Sequence, residues 1–139
     1  MKFPKSGREL EEMFRNAEVP EISEFDGEYF VDMLTILPSL RRFSHRKIFY
    51  TDNNKVLGRN QLFSKKSWGR FFLEEGVCEE LDSLKTVLIN YNVPENSFIT
   101  YRMRDHVRRI KKSNVYIGRF YCLFMNKLLF LGYFSLTRQ

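Results

Sequence analysis

The chain has 139 residues and a net charge of +6, a length that suits one domain with a real core. The chain contains 14 Phe, 7 Tyr and 1 Trp but a single Ala. Aromatic residues favour strands and alanine favours helices, so this composition favours strands. Two Cys without a CxxC spacing and two His without an HxH or HxxxH pattern argue against a dedicated zinc site, and we expect no cofactor.

A single helix is predicted near the N-terminus, over residues 6–18. Ser6 and Glu9 have the spacing of a capping box, in which each side chain satisfies a backbone amide of the first turn. Leu10, Met13, Phe14 and Ala17 then follow at helical spacing and form one apolar stripe. With only one such stripe, this helix should cap a mouth of a larger structure or pack on its wall.

The rest of the chain, residues 26–138, is typical of strands and short turns. Five strands are predicted at 27–34, 45–51, 55–64, 68–75 and 84–91, with Gly76 ending the fourth. Three more are predicted within 98–137, joined by turns at 112–114 and 125–126. Pro38 and Ser39 predict a loop. Connections of hairpin length favour antiparallel neighbours throughout.

Eight antiparallel strands without a second layer of helices should close on themselves, because closure removes unpaired edges. We therefore predict an all-β fold, an antiparallel up-and-down eight-stranded barrel with one N-terminal helix, forming a single domain over 1–139. The strand that begins at Gly27 should pair with the strand that ends near Arg138. A barrel of this size is filled by its own side chains or holds one small ligand.

Several short motifs resemble those of lipocalin-like (calycin) barrels. Gly27-x-Tyr29 is similar to the G-x-W signature that opens their first strand. The last third resembles small prokaryotic lipocalin-like proteins of unassigned function, in a pattern of Tyr91, Pro94-Glu95-Asn96, Arg104-Asp105-x-Val107-Arg108, Gly118-Arg119 and Phe134. The resemblance implies a barrel with an internal cavity, in which a late Arg (Arg138 or Arg119) crosses over the aromatic at the closed end. It implies no reaction.

Strand alternation sorts the side chains of 98–110 into two faces. Ile99, Tyr101, Met103, Asp105 and Val107 form the apolar face and should point inward. A carboxylate placed inside must be paired, protonated or near the barrel mouth. Arg119 is the candidate partner, either in a structural ion pair or as a pair that orients a ligand. His106 falls on the other face and is predicted to lie at the surface. The candidate ligand-binding residues are polar or amphipathic: Tyr50, Asn60, Trp68, Tyr91, Tyr101, Asp105, Arg119 and Tyr121.

The favoured function is binding of a small, mostly apolar or anionic molecule inside the barrel, by a monomer or homodimer. One alternative is nucleic-acid binding through the basic strip 102–112, which holds six Lys and Arg residues. Another is a lyase or isomerase activity with Asp105 as general acid or base. The N-terminal residues show no apolar signal segment, so a cytoplasmic protein without a membrane partner is expected.

Overall fold

The computed structural model describes residues 1–35, 45–62 and 66–139. Its regular elements follow one another in this order: α1 (Gly7–Asn16), β1 (Gly27–Met33), β2 (His45–Asp52), β3 (Lys55–Gln61), β4 (Ser67–Cys78), β5 (Leu84–Asn90), β6 (Met103–Arg109), β7 (Val115–Phe124) and β8 (Lys127–Arg138). The loop predicted at Pro38 and Ser39 and the strand end predicted at residue 64 lie outside the described residues.

The eight strands form a closed antiparallel barrel in which each strand pairs with the next in sequence. Closure comes from β1 and β8, which pair from Tyr29 opposite Arg138 to Met33 opposite Phe134. The predicted fold class and the predicted closing pair are therefore confirmed. The tight turns fit their residues, because Asn53, Asn54 and Asn126 have positive φ angles that asparagine tolerates well.

The helix α1 packs against the outer wall of the barrel. Ser6 caps it by accepting a hydrogen bond from the Glu9 amide at 3.2 Å, and it ends at Asn16, two residues before the predicted end. Its apolar stripe contributes to a second core outside the barrel, made with side chains of β7 and β8. Arg108 fixes the end of the helix, because its Nε donates to the carbonyl of Phe14 at 3.0 Å.

Aromatic rings fill one end of the barrel lumen, which we call the closed end. Phe25 lies 5.1 Å from Phe49 and 4.9 Å from Tyr116, measured between ring centroids, and all three are buried. The Arg138 guanidinium lies 5.7 Å from the centroid of the Tyr29 ring and donates to the Asp26 carbonyl at 2.9 Å. The late arginine that crosses the aromatic of the first strand is therefore Arg138.

Two predicted strand boundaries are wrong. Gly76 does not end the fourth strand, since it pairs with Thr86 inside β4. The sixth strand begins at Met103 rather than at residue 98, because Thr100–Arg102 form a 3-10 turn. That turn interrupts the alternation on which the predicted faces rest, so Ile99 is 73% exposed instead of pointing inward.

Candidate functional site

Four polar side chains meet inside the barrel, where the surrounding residues are apolar. Lys47 and Asn60 are directly paired on β2 and β3, Tyr91 follows the end of β5, and Asp105 lies on β6 opposite Ile89. All four are buried. Strand alternation directs them into the lumen, because each shares its strand face with a residue of the lumen core.

Hydrogen bonds join these four side chains into one network. Lys47 Nζ donates to Asn60 Oδ1 at 2.7 Å and contacts the Tyr91 hydroxyl, and it lies 3.6 Å from Asp105 Oδ2. The Tyr91 hydroxyl accepts from Asn60 Nδ2 at 3.1 Å and donates to the same Asp105 oxygen at 3.4 Å. Both contacts of the carboxylate fall on Oδ2, so among the described residues Oδ1 keeps its lone pairs for another donor.

Burial dominates the electrostatics of this network. It lowers the pKa of Lys47 and raises the pKa of Asp105, and each group offsets part of the other's shift by its opposite charge. It also raises the pKa of Tyr91 well above its ordinary value. A raised carboxylate pKa meets one condition for general acid–base chemistry at Asp105, a role that stays a prediction.

A pocket of about 110 Å³ lies beside the network, towards the end of the lumen opposite the closed end. At about 30 Å³ per water molecule, it has room for roughly four waters. Trp68, which is 39% exposed, forms part of its wall, and the centroid of the His45 ring lies 5.4 Å from the centroid of the Trp68 ring system. The pocket is lined by Val31, Met33, His45, Lys47, Trp68, Tyr91, Met103, Asp105, Phe120 and Phe134.

The predicted pair of Asp105 and Arg119 does not form. In the register of β6 and β7, Asp105 faces Phe120 while Arg119 faces His106, so the two charged groups lie on opposite sides of the sheet. Lys47 is the partner of Asp105. The inward assignment of Arg119 failed because both faces of β7 are apolar, one towards the lumen and one towards α1.

Arg119 instead belongs to a polar cluster on the outer wall. Its guanidinium donates to Glu80 Oε1 at 2.6 Å and to the Tyr121 hydroxyl at 2.8 Å, and it contacts the Tyr133 hydroxyl. Tyr121 is thus outside the lumen as well. His106 is buried in the same wall, with Nδ1 2.7 Å from the Thr86 hydroxyl, so its predicted surface position is wrong.

The other candidate residues are divided between two places. Asn60, Trp68, Tyr91 and Asp105 lie at or beside the lumen pocket. Tyr50 points away from the lumen, because its neighbours Phe49 and Lys47 point in, and Tyr101 lies in the 3-10 turn at the barrel mouth. The binding role of all eight residues stays a prediction.

Sequence reasoning missed Lys47 and His45. Their strand alternates His45, Lys47 and Phe49 against Arg46, Ile48 and Tyr50, so each face carries one cation and at least one apolar residue. The sequence shows the alternation of this strand, but its two faces have similar composition, so the inner face cannot be identified from the sequence.

The basic strip 102–112 is largely committed to structural contacts. Arg108 donates to backbone carbonyls of Phe14 and Ala17, the latter at 2.5 Å. Arg109 binds Glu24 at 3.0 Å and also Glu18, and Arg104 donates to two carbonyls near its own position. These contacts engage three of the six cations of the strip in the fold, and nucleic-acid binding stays a prediction.

The described residues form a closed antiparallel β-barrel with a small pocket in its lumen. No family model matches the sequence, and no curated protein matches it. A crystal structure of a protein from Thermomonospora curvata is similar, with a TM-score of 0.65 and 16% identity, over 96% of this chain and 88% of that one. At this identity the likeness shows the fold alone.

Within the ranges that the structure describes, no helix combines the length and apolar character needed to cross a membrane.

Proposed function

We propose that the protein is a lipocalin-like barrel that binds a small, neutral, mostly apolar molecule in its lumen pocket. The observation that carries this proposal is a pocket with mainly apolar walls whose polar side is a buried ion pair, Lys47 and Asp105. Apolar walls with a few placed polar groups are typical of small-molecule sites. The position of Arg138 over Tyr29 supports the lipocalin-like reading.

The charge of the pair favours a neutral ligand over an anion. Lys47 and Asp105 sum to zero charge whether they form an ion pair or a neutral pair. An anion would therefore meet no net positive charge, and it would have to displace Asp105 from the ammonium group. A neutral ligand with one hydroxyl or N–H donor could instead donate to Asp105 Oδ1.

The volume of the pocket suits a ligand of about four to six non-hydrogen atoms, judged from the volume of roughly four water molecules. 1-Butanol and butyrate are matched probes of this size, because they share an apolar chain and differ in charge. We expect 1-butanol to bind more tightly than butyrate.

Methionine methyl groups provide the reporters for a binding test by NMR. Met33 and Met103 line the pocket, whereas Met1 and Met125 are exposed and Met13 packs against the outer core. In protein labelled with ¹³C at the methionine methyls, titration with 1-butanol should shift the signals of Met33 and Met103 and leave the other three in place. Equal shifts at all five methionines, or none at the two pocket residues, would refute the proposal.

Two matched substitutions distinguish binding in the lumen pocket from an effect at the outer wall. Asp105→Asn should weaken the 1-butanol response, because it alters the acceptor that faces the ligand. Tyr50→Phe removes a hydroxyl outside the lumen and should leave the response unchanged. Native mass spectrometry of freshly purified protein would then show whether a neutral molecule of this size is retained.

A further inference from the structure

Exposed apolar side chains are concentrated at one end of the barrel. Antiparallel pairing brings the start of β4, the segment before β6 and the hairpin of β7 and β8 to the end opposite the closed end. We call the apolar residues there the apolar rim, which consists of Trp68, Phe98, Ile99, Phe124, Met125, Leu128, Leu129, Phe130 and Leu131. Phe98 is 68% exposed and Met125 is 80% exposed. Exposed apolar side chains gathered at one end of a molecule in this number are typical of an interaction site.

Hydrogen bonds hold part of the apolar rim in place rather than letting it collapse onto the barrel. The Asn96 side chain accepts from the Arg70 amide and donates to the carbonyls of Arg70 and Tyr91, each at 2.7 Å. Ser97 accepts from the Thr100 amide at 3.2 Å. The segment that presents Phe98 and Ile99 is therefore fixed on both sides while its apolar side chains stay in solvent.

Cations lie beside the part of the apolar rim around Phe98. The segments 66–70, 91–102 and 124–131 contain Lys66, Arg70, Arg102 and Lys127 but one acid, Glu95. Three further acids, Glu75, Glu79 and Glu80, line a surface pocket together with Lys127 and Leu128, so the excess of positive charge is on the Phe98 side of the rim. The Arg102 guanidinium lies 4.0 Å from the centroid of the Phe98 ring, so charge and apolar surface are adjacent. Like charges disfavour pairing of this end with a second copy of itself and favour an anionic partner.

The composition of the apolar rim indicates which class of anionic partner it suits. Single-stranded nucleic acids bind basic surfaces through aromatic side chains that stack on bases. Five of the nine rim residues are instead aliphatic or methionine: Ile99, Met125, Leu128, Leu129 and Leu131. Such side chains gain most from entering the acyl-chain boundary of a bilayer, while Lys and Arg contact its anionic headgroups.

We propose that the open end of the barrel docks on the surface of an anionic lipid bilayer, with the apolar rim inserted among the lipids. Trp68, the only tryptophan of the chain, lies in this rim and reports directly on insertion. Vesicles of phosphatidylcholine with 30% phosphatidylglycerol should shift its fluorescence to the blue and sediment the protein. Vesicles of phosphatidylcholine alone should bind at least about tenfold more weakly, because they lack the anionic headgroups.

A matched pair of double substitutions tests which surface is responsible. Phe98→Ser with Ile99→Ser should weaken binding to the anionic vesicles by about tenfold or more, given the apolar area that no longer enters the lipid. Phe30→Ser with Val19→Ser removes two apolar side chains that are also exposed but lie outside the apolar rim, and it should leave binding unchanged. Circular dichroism of both variants would verify that the barrel is intact.

Three outcomes would overturn the proposal. They are equal binding to neutral and anionic vesicles, equal losses in the two double variants, and no binding to anionic vesicles. In the last case, oligonucleotide binding or self-association that the Phe98 and Ile99 changes abolish would identify the partner instead. None of them bears on the lumen pocket, because the Met33 and Met103 methyl signals test that site without lipid.

Discussion

Replacing Lys47 by Met tests whether Lys47 and Asp105 stabilise the fold as a buried ion pair. Met is of similar length and apolar, so the main loss is the positive charge 3.6 Å from Asp105. Asp105 is only 4% exposed and cannot regain solvent. Removing one member of a buried ion pair costs about 3–5 kcal/mol, a large share of the roughly 5–15 kcal/mol that stabilises a typical domain.

The stability that Lys47→Met removes should depend on pH, and the direction of this dependence follows from the pKa shifts. Without Lys47, only the hydrogen bond from Tyr91 still offsets burial at Asp105, and the pKa of this carboxyl in the folded variant rises further above 3.8. The folded variant then binds a proton that the unfolded chain has released, so its stability falls as pH rises through that folded pKa. The deficit relative to wild type should therefore be smaller at pH 5 than at pH 8.

Asp105→Asn should show the opposite trend. Without the carboxylate, the pKa of Lys47 in the folded variant falls further below 10.5. Between the folded pKa and 10.5 the unfolded chain binds the extra proton, so the stability of this variant rises with pH. Its deficit should be smaller at pH 9 than at pH 6, with each unit of pKa change worth about 1.4 kcal/mol.

Urea denaturation followed by circular dichroism at pH 5 to 9 measures both deficits. Lys55→Met at an exposed position is the matched control and should change stability by less than about 0.5 kcal/mol. The double variant with Met at 47 and Asn at 105 should be less destabilised than the sum of the single changes, because no unpaired charge remains. Deficits that are constant with pH, or that change in the same direction in both variants, would refute the reasoning.

Other predictions concern the wall and the outer core. Gly118→Ala should cost about 1–3 kcal/mol in urea denaturation, because its new Cβ would lie 2.2 Å from the Phe134 ring, whereas Gly7→Ala, with open space around it, should not destabilise. Arg108→Met should speed amide exchange in α1, since it removes hydrogen bonds to the end of that helix; unchanged exchange would contradict this role. His106 should titrate by NMR near pH 4 rather than 6.5, and its presence should make stability fall as pH drops from about 6.5 to 4, a slope that His106→Gln should remove.

The barrel itself could be predicted from the sequence because its signals are local. Turn residues such as Asn53 and Asn54 separate runs of strand-forming residues, and hairpin connections leave few choices of neighbour. Ser6 and Glu9 likewise mark the helix start. Closure then follows from the number of strands and the absence of other layers.

The contents of the lumen could not be predicted in the same way, because they depend on what covers the outer wall. The helix α1 makes the outer face of β7 as apolar as the inner one, so Arg119 and Tyr121 appeared to point inward. The partner of Asp105 comes from β2, 58 residues earlier, and no local pattern joins Lys47 to it. Which side chains meet across the barrel depends on the order and register of the strands, and the sequence of a single strand does not reveal it.

Two glycines help to explain why any space remains in a lumen so rich in aromatics. The Phe71 ring lies against Gly58, where a Cβ would come within 2.3 Å of it, and the Phe134 ring lies against Gly118 in the same way. A larger residue at either glycine would push the ring away from the wall and towards the lumen, where Lys47 Nζ lies 5.3 Å from the Phe71 ring centroid. Phe134 also lines the pocket. The same close packing that stabilises the wall therefore leaves room beside Asp105, and a bulkier wall residue would lower the stability of the barrel and narrow the pocket at the same time.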